Sequence, residues 1–383
     1  MKSITQLKNL KGKIALVRVD FNVPIRGGKI LDDFRIKKAL PTIKFLQKKG
    51  AKIILISHLG KESGRTLKPV ADYLGKIYRG QVSFSVGSLS PRARGALTLG
   101  PSACERPSQE NICPIILLEN LRLNKGEESN SPAFAKQLAR LGDIYVNDAF
   151  PVCHREHASI VGVPKYLPAY AGFQLENEVK NLKMAEHPAR PFLFILGGAK
   201  FETKIPLIKK YLKKSDGVFI GGALMNNFFK EKGIDVGKSL VAKNSLFRQG
   251  FGGQVGLKKL MKNKKLILPI DVVIKNKAFI DIGGKTTELL IGLIKRSKFV
   301  LMNGPMGNYE KGFGQATEKI LKALAKSKAK VIIGGGDTVT CLQQAISKSK
   351  FSISNKKLFI STGGGATLEF LSKGTLPGIK ALR

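Results

Sequence analysis

Val331-Ile332-Ile333-Gly334-Gly335-Gly336-Asp337-Thr338 is a strand-like apolar run that ends in three glycines and opens into a helix-like stretch. Leu358-Phe359-Ile360-Ser361-Thr362-Gly363-Gly364-Gly365-Ala366-Thr367 repeats that design a little further on. Strand, glycine turn and helix in that order turn bare backbone N–H groups toward a helix N-terminus, where a phosphate is favoured. Glycine lets the main chain come close to a ligand and accepts positive φ. Two such turns, with Asp337 at the edge of the first, point to a polyphosphate and its metal.

Short apolar runs recur outward from these turns in both directions. Ile14–Val19, Ile53–Ser57, Ile115–Leu118 and Ile144–Asn147 read as strands in the first half. Phe192–Leu196, Gly217–Ile220, Lys265–Leu268 and Phe299–Met302 precede the two glycine turns in the second half. Strands apolar throughout belong to parallel sheets covered on both faces. Helical stretches lie between them, such as Arg35–Lys49 with Ile36, Leu40, Ile43 and Leu46 near a 3–4 spacing. The expectation is an α/β protein of two doubly wound, parallel-sheet, Rossmann-like domains joined by an interdomain helix at about 173–185. The prolines at 164 and 168 place the end of the first domain near residue 168, and the second spans 169–370. Residues 88–111 and 244–256 lack periodicity and read as loops or insertions.

With 383 residues the chain can hold two cores. No apolar run reaches the about 20 residues of a membrane-spanning helix. The first ten residues lack a signal-peptide apolar segment, so the expected setting is the cytoplasm, with no membrane partner. The four cysteines form no CxxC pair, which argues against a zinc site or a disulfide framework. The net charge of +39 is mostly lysine in short runs along the whole chain. Two readings stay open: attraction to polyanions, or lysine enrichment spread over exposed faces. Without an RNP motif or a Cys/His finger, no specific nucleic-acid recognition is expected.

Further glycine turns follow strands at Gly197-Gly198-Ala199-Lys200, Gly221-Gly222 and Asn303-Gly304-Pro305-Met306-Gly307. Ligands of open α/β sheets bind beyond the carboxyl ends of strands, so these turns can line one crevice. Lys200 and Lys204 share one helix face, and a lysine beside such a turn can neutralise phosphoryl oxygens. Gly233–Ser239 falls one residue short of a P-loop and reads as a surface turn. In the first half, Arg18, Asp20, Asn22, Arg35, His58, Arg122 and Arg155 stand at strand ends or the adjoining loops. Arginine suits bidentate binding of carboxylate and phosphate. A nucleotide site in one half and a small-anion site in the other suggest phosphoryl transfer across an interdomain cleft.

In this order, the motifs resemble the phosphoglycerate kinase family over nearly the whole chain. The pieces that carry the resemblance are Arg18–Pro24, Ser57–Gly60, Leu118–Arg122, Asn147–Phe150, His154-Arg155, Asn303–Gly307, Gly334–Thr338 and Ser361–Ala366. The family implies reversible transfer of a phosphoryl group between 1,3-bisphosphoglycerate and ADP, giving 3-phosphoglycerate and ATP, with Mg²⁺ carried as MgATP or MgADP. By resemblance, Arg35, Lys200 and Gly364 are catalytic. Asp20, Asn22, Arg35, His58, Lys61, Arg122 and Arg155 bind 3-phosphoglycerate. Gly198, Ala199, Lys200, Lys204, Gly222, Asn303, Pro305, Glu310, Gly335, Gly336, Asp337 and Thr338 bind the nucleotide, Glu310 at the ribose, and Asp337 holds the metal. The family's C-terminal segment, here about 371–383, returns to complete the N-terminal domain, and the expected state is a monomer. The chain departs from the family at Lys61, where arginine is usual, and at Phe34, Pro151-Val152-Cys153, Met302 and Asn308.

Overall fold

The computed structural model describes residues 1–60, 65–86, 115–242, 253–349 and 352–383. Lys61 and the segments 88–111 and 244–252 lie outside the described residues. The chain divides into two compact units: residues 1–179 with 375–383, and residues 180–374.

The sheet of unit 1 contains β1 (Ile14–Arg18), β2 (Lys52–Ile56), β3 (Val82–Ser85), β4 (Ile115–Leu118), β5 (Ile144–Asn147) and β6 (Ala169–Ala171). Its order is β3-β4-β2-β1-β5-β6, all parallel. Unit 2 contains β7 (Phe192–Leu196), β8 (Gly217–Ile220), β9 (Leu266–Ile267), β10 (Phe299–Asn303), β11 (Lys330–Gly334) and β12 (Leu358–Ile360). They lie in the order β9-β8-β7-β10-β11-β12, again all parallel. The expected fold class is therefore observed in both halves. The central strands are buried on both faces, as their uninterrupted apolar sequences require.

Five helices matter for function: α1 (Phe34–Lys48), α2 (Phe173–Lys183), α3 (Phe201–Lys214), α4 (Gly336–Ser349) and α5 (Gly365–Lys373). The division between the units, after Val179, falls inside α2. The first turn of α2 belongs to unit 1 and is capped by buried Asp148, whose Oδ1 accepts from the backbone N–H of Gln174 (2.8 Å) and Leu175 (3.3 Å). Burial raises the Asp148 carboxyl to about 7. After unit 2 the chain returns to unit 1, where Leu376, Ile379 and Leu382 are buried and the Gly378 N–H donates to the Cys153 carbonyl (2.8 Å).

Sequence periodicity misses the edge strands β3 and β6 and two hairpins. β3 is only partly buried and β6 has three residues, so neither carries a long apolar signature. The hairpin Val272–Lys275/Ala278–Ile282 turns through Asn276 and Lys277, both at positive φ, with no glycine to announce the turn. The near-P-loop at Gly233–Ser239 lies along this hairpin. Gly237 bridges Ala278, and the Lys238 N–H donates to the Lys277 carbonyl (2.7 Å).

Candidate active site

In each unit the chain reverses its winding direction at one point of the sheet. In unit 2 that point lies between β7 and β10, and in unit 1 between β1 and β5. A crevice forms beyond the carboxyl ends of such strand pairs, and the candidate residues cluster there.

In unit 2 the turns after β7, β8 and β10 are bonded to one another through backbone groups. The Gly198 N–H donates to the Pro305 carbonyl (2.8 Å) and the Gly222 N–H to the Met306 carbonyl (3.0 Å). Leu224 N–H donates in turn to the Gly198 carbonyl (3.1 Å). Gly198, Gly222 and Gly304 have φ of +80°, +58° and +94°. A Cβ on Gly222 would strike the Gly198 nitrogen, and one on Gly304 would strike the Gly197 carbonyl. Glycine is therefore dictated here by both conformation and space.

The two triple-glycine turns join the same edge. Thr338, buried in the first turn of α4, accepts from the Gly304 N–H (2.8 Å). A Cβ on Gly364 would lie 3.5 Å from the Gly336 nitrogen, so the two turns abut. Ser361 and Thr367 brace the second turn by a 2.8 Å hydroxyl contact, and the Gly363 N–H donates to Ser361 Oγ (3.2 Å). The N-termini of α4 and α5 thus meet, and their dipoles favour an anion. Asn303 is 2% exposed, and its Nδ2 has no hydrogen-bond partner among the described residues. A buried amide donor left unmade at such a place suits a phosphate oxygen.

Lys204, in the first turn of α3, is buried with Nζ donating to the Gly197 carbonyl. Burial pushes its pKa down to about 8, with Lys200 adding to the effect and Asp337 opposing it. Ala199 and Lys200 are exposed just before α3. Asp337 is exposed in the first turn of α4. Glu310 is exposed on the turn Tyr309–Lys311, and Pro305 is buried beside Gly304. Among the described residues no three His, Cys, Asp or Glu side chains converge. A lone carboxylate beside a phosphate cradle fits a magnesium that keeps most of its ligands from phosphate and water.

In unit 1 the centre is His58, 2% exposed. Arg18 lies in β1 with no exposed surface. It donates through Nε to Ser159 Oγ (2.9 Å), through Nη1 to the Val19 carbonyl and through Nη2 to His58 Nδ1 (3.3 Å). A guanidinium only donates, so His58 Nδ1 accepts and the ring carries its proton on Nε2. Burial, then Arg18, Arg122, Arg155 and Arg35, hold the His58 pKa well below its usual value. Four guanidiniums focused on one neutral imidazole make a strong site for an anion.

Arg35, in the first turn of α1, pairs with Asp20 (2.8 Å) and donates to the Asn22 carbonyl (3.1 Å). Asn22 Oδ1 accepts from the Gly60 N–H (3.0 Å). Arg122 donates to the Gly60 carbonyl and pairs with Glu128 (3.1 Å). Its Nη2 is buried without a hydrogen-bond partner among the described residues. Burial, then Arg155, lowers the Arg122 pKa. Asp20, Asn22, Arg35, His58 and Arg122 are thus in one connected set, with Arg155 within electrostatic reach.

Two members, Asn120 and Glu127, were not singled out from the sequence, and Arg18 was placed at a strand end without a ligand role. Arg18 ends the apolar strand β1, as the sequence reading had it, and is fully buried there. Asn120 satisfies all four of its amide valences. Oδ1 accepts from the N–H of Leu59 and Arg122 (3.1 Å each), and Nδ2 donates to the carbonyls of Leu59 (2.9 Å) and Arg65 (3.0 Å). Glu127, buried, receives Ser159 Oγ–H (2.6 Å) and Ser159 N–H (3.0 Å), and so anchors the serine that accepts from Arg18.

A sequence model described as phosphoglycerate kinase matches residues 4–374. The phosphoglycerate kinase of Leptospira biflexa is 41% identical, over 98% of this chain and 96% of its own length. That of Dictyoglomus turgidum is 41% identical, over 100% and 99%. Among solved structures, phosphoglycerate kinase from Coxiella burnetii matches with a TM-score of 0.78 at 34% identity, covering 99% of this chain and 98% of that one. The enzyme from Pyrococcus horikoshii matches with a TM-score of 0.82 at 29% identity, covering 100% and 98%.

Proposed function

The chain belongs to the phosphoglycerate kinase family, and from that premise we propose that it transfers a phosphoryl group reversibly between 1,3-bisphosphoglycerate and ADP, giving 3-phosphoglycerate and ATP, as a monomeric cytoplasmic enzyme of glycolysis. Unit 1, with the returning segment 375–383, takes 3-phosphoglycerate on Asp20, Asn22, Arg35, His58, Arg122 and Arg155. Lys61 is proposed for the same substrate. Unit 2 takes the nucleotide on its glycine turns, Lys204, Asn303, Pro305, Glu310 and the first turn of α4.

The observation that carries this reading is the bonded set of glycine turns beside Asn303, whose buried Nδ2 has no hydrogen-bond partner among the described residues and suits an acceptor such as a phosphate oxygen. The attacking group is already a carboxylate or a phosphate oxygen, so no strong base is required. Positioning and charge neutralisation do the work. Asp337 would hold the Mg²⁺ of the nucleotide, which when bound offsets phosphate charge. Arg35 and Lys200 offset charge on the transferring group, and Gly364 leaves room for it at the α5 N-terminus. In-line transfer requires donor and acceptor within bonding reach, and turnover therefore includes a closed state that excludes water.

The deciding experiment is a coupled assay with 3-phosphoglycerate and MgATP. Sustained turnover is expected; none from well-folded protein would sink the reading.

A further inference from the structure

The glycine turns of unit 2 occupy the carboxyl edge of its sheet. The opposite edge carries a different feature. Across the sheet, in spatial order, β9, β8, β7, β10, β11 and β12 are each preceded within three residues by a cation: Lys264, Lys214, Arg190, Lys298, Lys328 and Lys357. All six strands are parallel, so these six positions share one edge. All but the half-buried Lys214 are exposed. The connections that hold them repeat the charge, as in Lys262-Asn263-Lys264-Lys265 and Lys295-Arg296-Ser297-Lys298. Asp216 stands among them but is engaged by Arg190 and by the Phe192 N–H (2.7 Å).

Lysine enrichment over the whole chain does not account for this row. In unit 1 the corresponding edge is broken: the three residues before β5 and before β6 contain no Lys or Arg, and Asp143 stands directly before β5. Compensation of helix dipoles explains cations in the last turns of helices, such as Lys213 of α3. It does not explain Lys298, Lys328, Lys264 and Lys357, which lie beyond helix ends in the connections.

We propose that the amino edge of the unit 2 sheet is a docking surface for the phosphate backbone of duplex nucleic acid, bound without sequence preference. Neighbouring strands are roughly 4.8 Å apart, so six of them set a rigid cationic row about 24 Å long. A duplex carries one charge per about 1.7 Å and presents on the order of 14 charges over that length. A single strand would call for aromatic platforms. Tyr166, in unit 1, is the one exposed tyrosine or phenylalanine among the described residues. A lipid surface would call for large apolar anchors, and the residues directly before the six cations are Asn263, Lys213, Ala189, Ser297, Ser327 and Lys356, none of them a large apolar side chain. Five-residue strands separate the row from the glycine turns by about 16 Å, so duplex and nucleotide occupy different surfaces.

The test is fluorescence anisotropy with a labelled 20-base-pair mixed-sequence DNA duplex and the full chain. With about five phosphates engaged, the slope of log affinity against log salt is near −4.5, and affinity falls about 500-fold between 50 and 200 mM salt. The triple change Lys298→Glu, Lys328→Glu and Lys357→Glu should weaken binding at least tenfold and flatten the slope by roughly 3, while turnover stays unchanged. The control is Lys8→Glu, Lys44→Glu and Lys136→Glu, three exposed lysines of unit 1, which should leave duplex affinity within about twofold. Equal weakening by both triples means diffuse charge alone and overturns the proposal. So does displacement of the duplex by MgATP, which would put it in the glycine turns. Tighter binding to phosphatidylserine vesicles through the same lysines, or no duplex binding at 50 mM salt, also overturns it.

Discussion

Arg35 and Lys200, both proposed to offset charge on the transferring group, stand in different settings. Arg35 is oriented by Asp20 and the Asn22 carbonyl, whereas Lys200 is exposed before α3. Arg35→Ala and Lys200→Ala should each cut kcat on the order of 100-fold or more while shifting the melting temperature little. Near-normal turnover in either variant would remove that residue from the mechanism. Lys204 gives a pH signature. Its folded pKa, about 8, lies below the ordinary value of about 10.4. Between those values the unfolded chain binds more protons, so this residue makes stability rise with pH across that window. A bound phosphate restores the charge, so MgADP binding at pH 9 should take up close to one proton. Calorimetry in buffers of different ionisation enthalpy reads this, and uptake that persists in Lys204→Met would exclude Lys204 as its source. The clustering of the candidate residues was legible in the sequence because glycine turns and strand-end arginines announce themselves locally. Asn120 was not, because its partners Leu59 and Arg65 lie 61 and 55 positions away and only folding brings them to it.

The turns are a single element built from three strand ends, and their tolerance should be that of the tightest member. Gly222→Ala would place a side chain at φ +58° against the Gly198 nitrogen. The left-handed conformation alone costs roughly 1–2 kcal/mol, and the clash must also displace the turn. KM for MgATP should rise at least tenfold with the affinity for 3-phosphoglycerate unchanged, and a parallel loss of both would mean that the change disrupts more than the turn. At the start of α2, Asp148→Ala should cost about 1–2 kcal/mol in chemical denaturation by removing the cap. Asp148→Asn keeps an oxygen for both N–H groups and should stay within about 0.5 kcal/mol of the parent at pH 7. If Asn is as damaging as Ala, the charge rather than the cap is what matters. Central strands were readable element by element, since burial on both faces writes an unbroken apolar run. The edge strands and the hairpin at Asn276-Lys277 were not, since half-exposed backbone imposes no such pattern.

Over the molecule as a whole, repetition of one pattern was enough to read two parallel-sheet units, while the order of strands within each sheet required the fold itself. Unit 2 is one continuous stretch, 180–374, and unit 1 is assembled from 1–179 and 375–383. Removing 375–383 withdraws Leu376, Ile379 and Leu382 from the unit 1 interior, each worth about 1.5–3 kcal/mol. Calorimetry of the truncated chain should show a lowered transition for unit 1 and a retained one for unit 2; two unchanged transitions would refute the dependence. That returning segment also sets a timetable for the growing chain. Residues 180–374 form their unit from one uninterrupted stretch, while residues 1–179 lack the piece that closes their core until 375–383 is released. The first part made is then the last part finished, and a polypeptide that stops before residue 375 is expected to have a formed unit 2 and an unfinished unit 1.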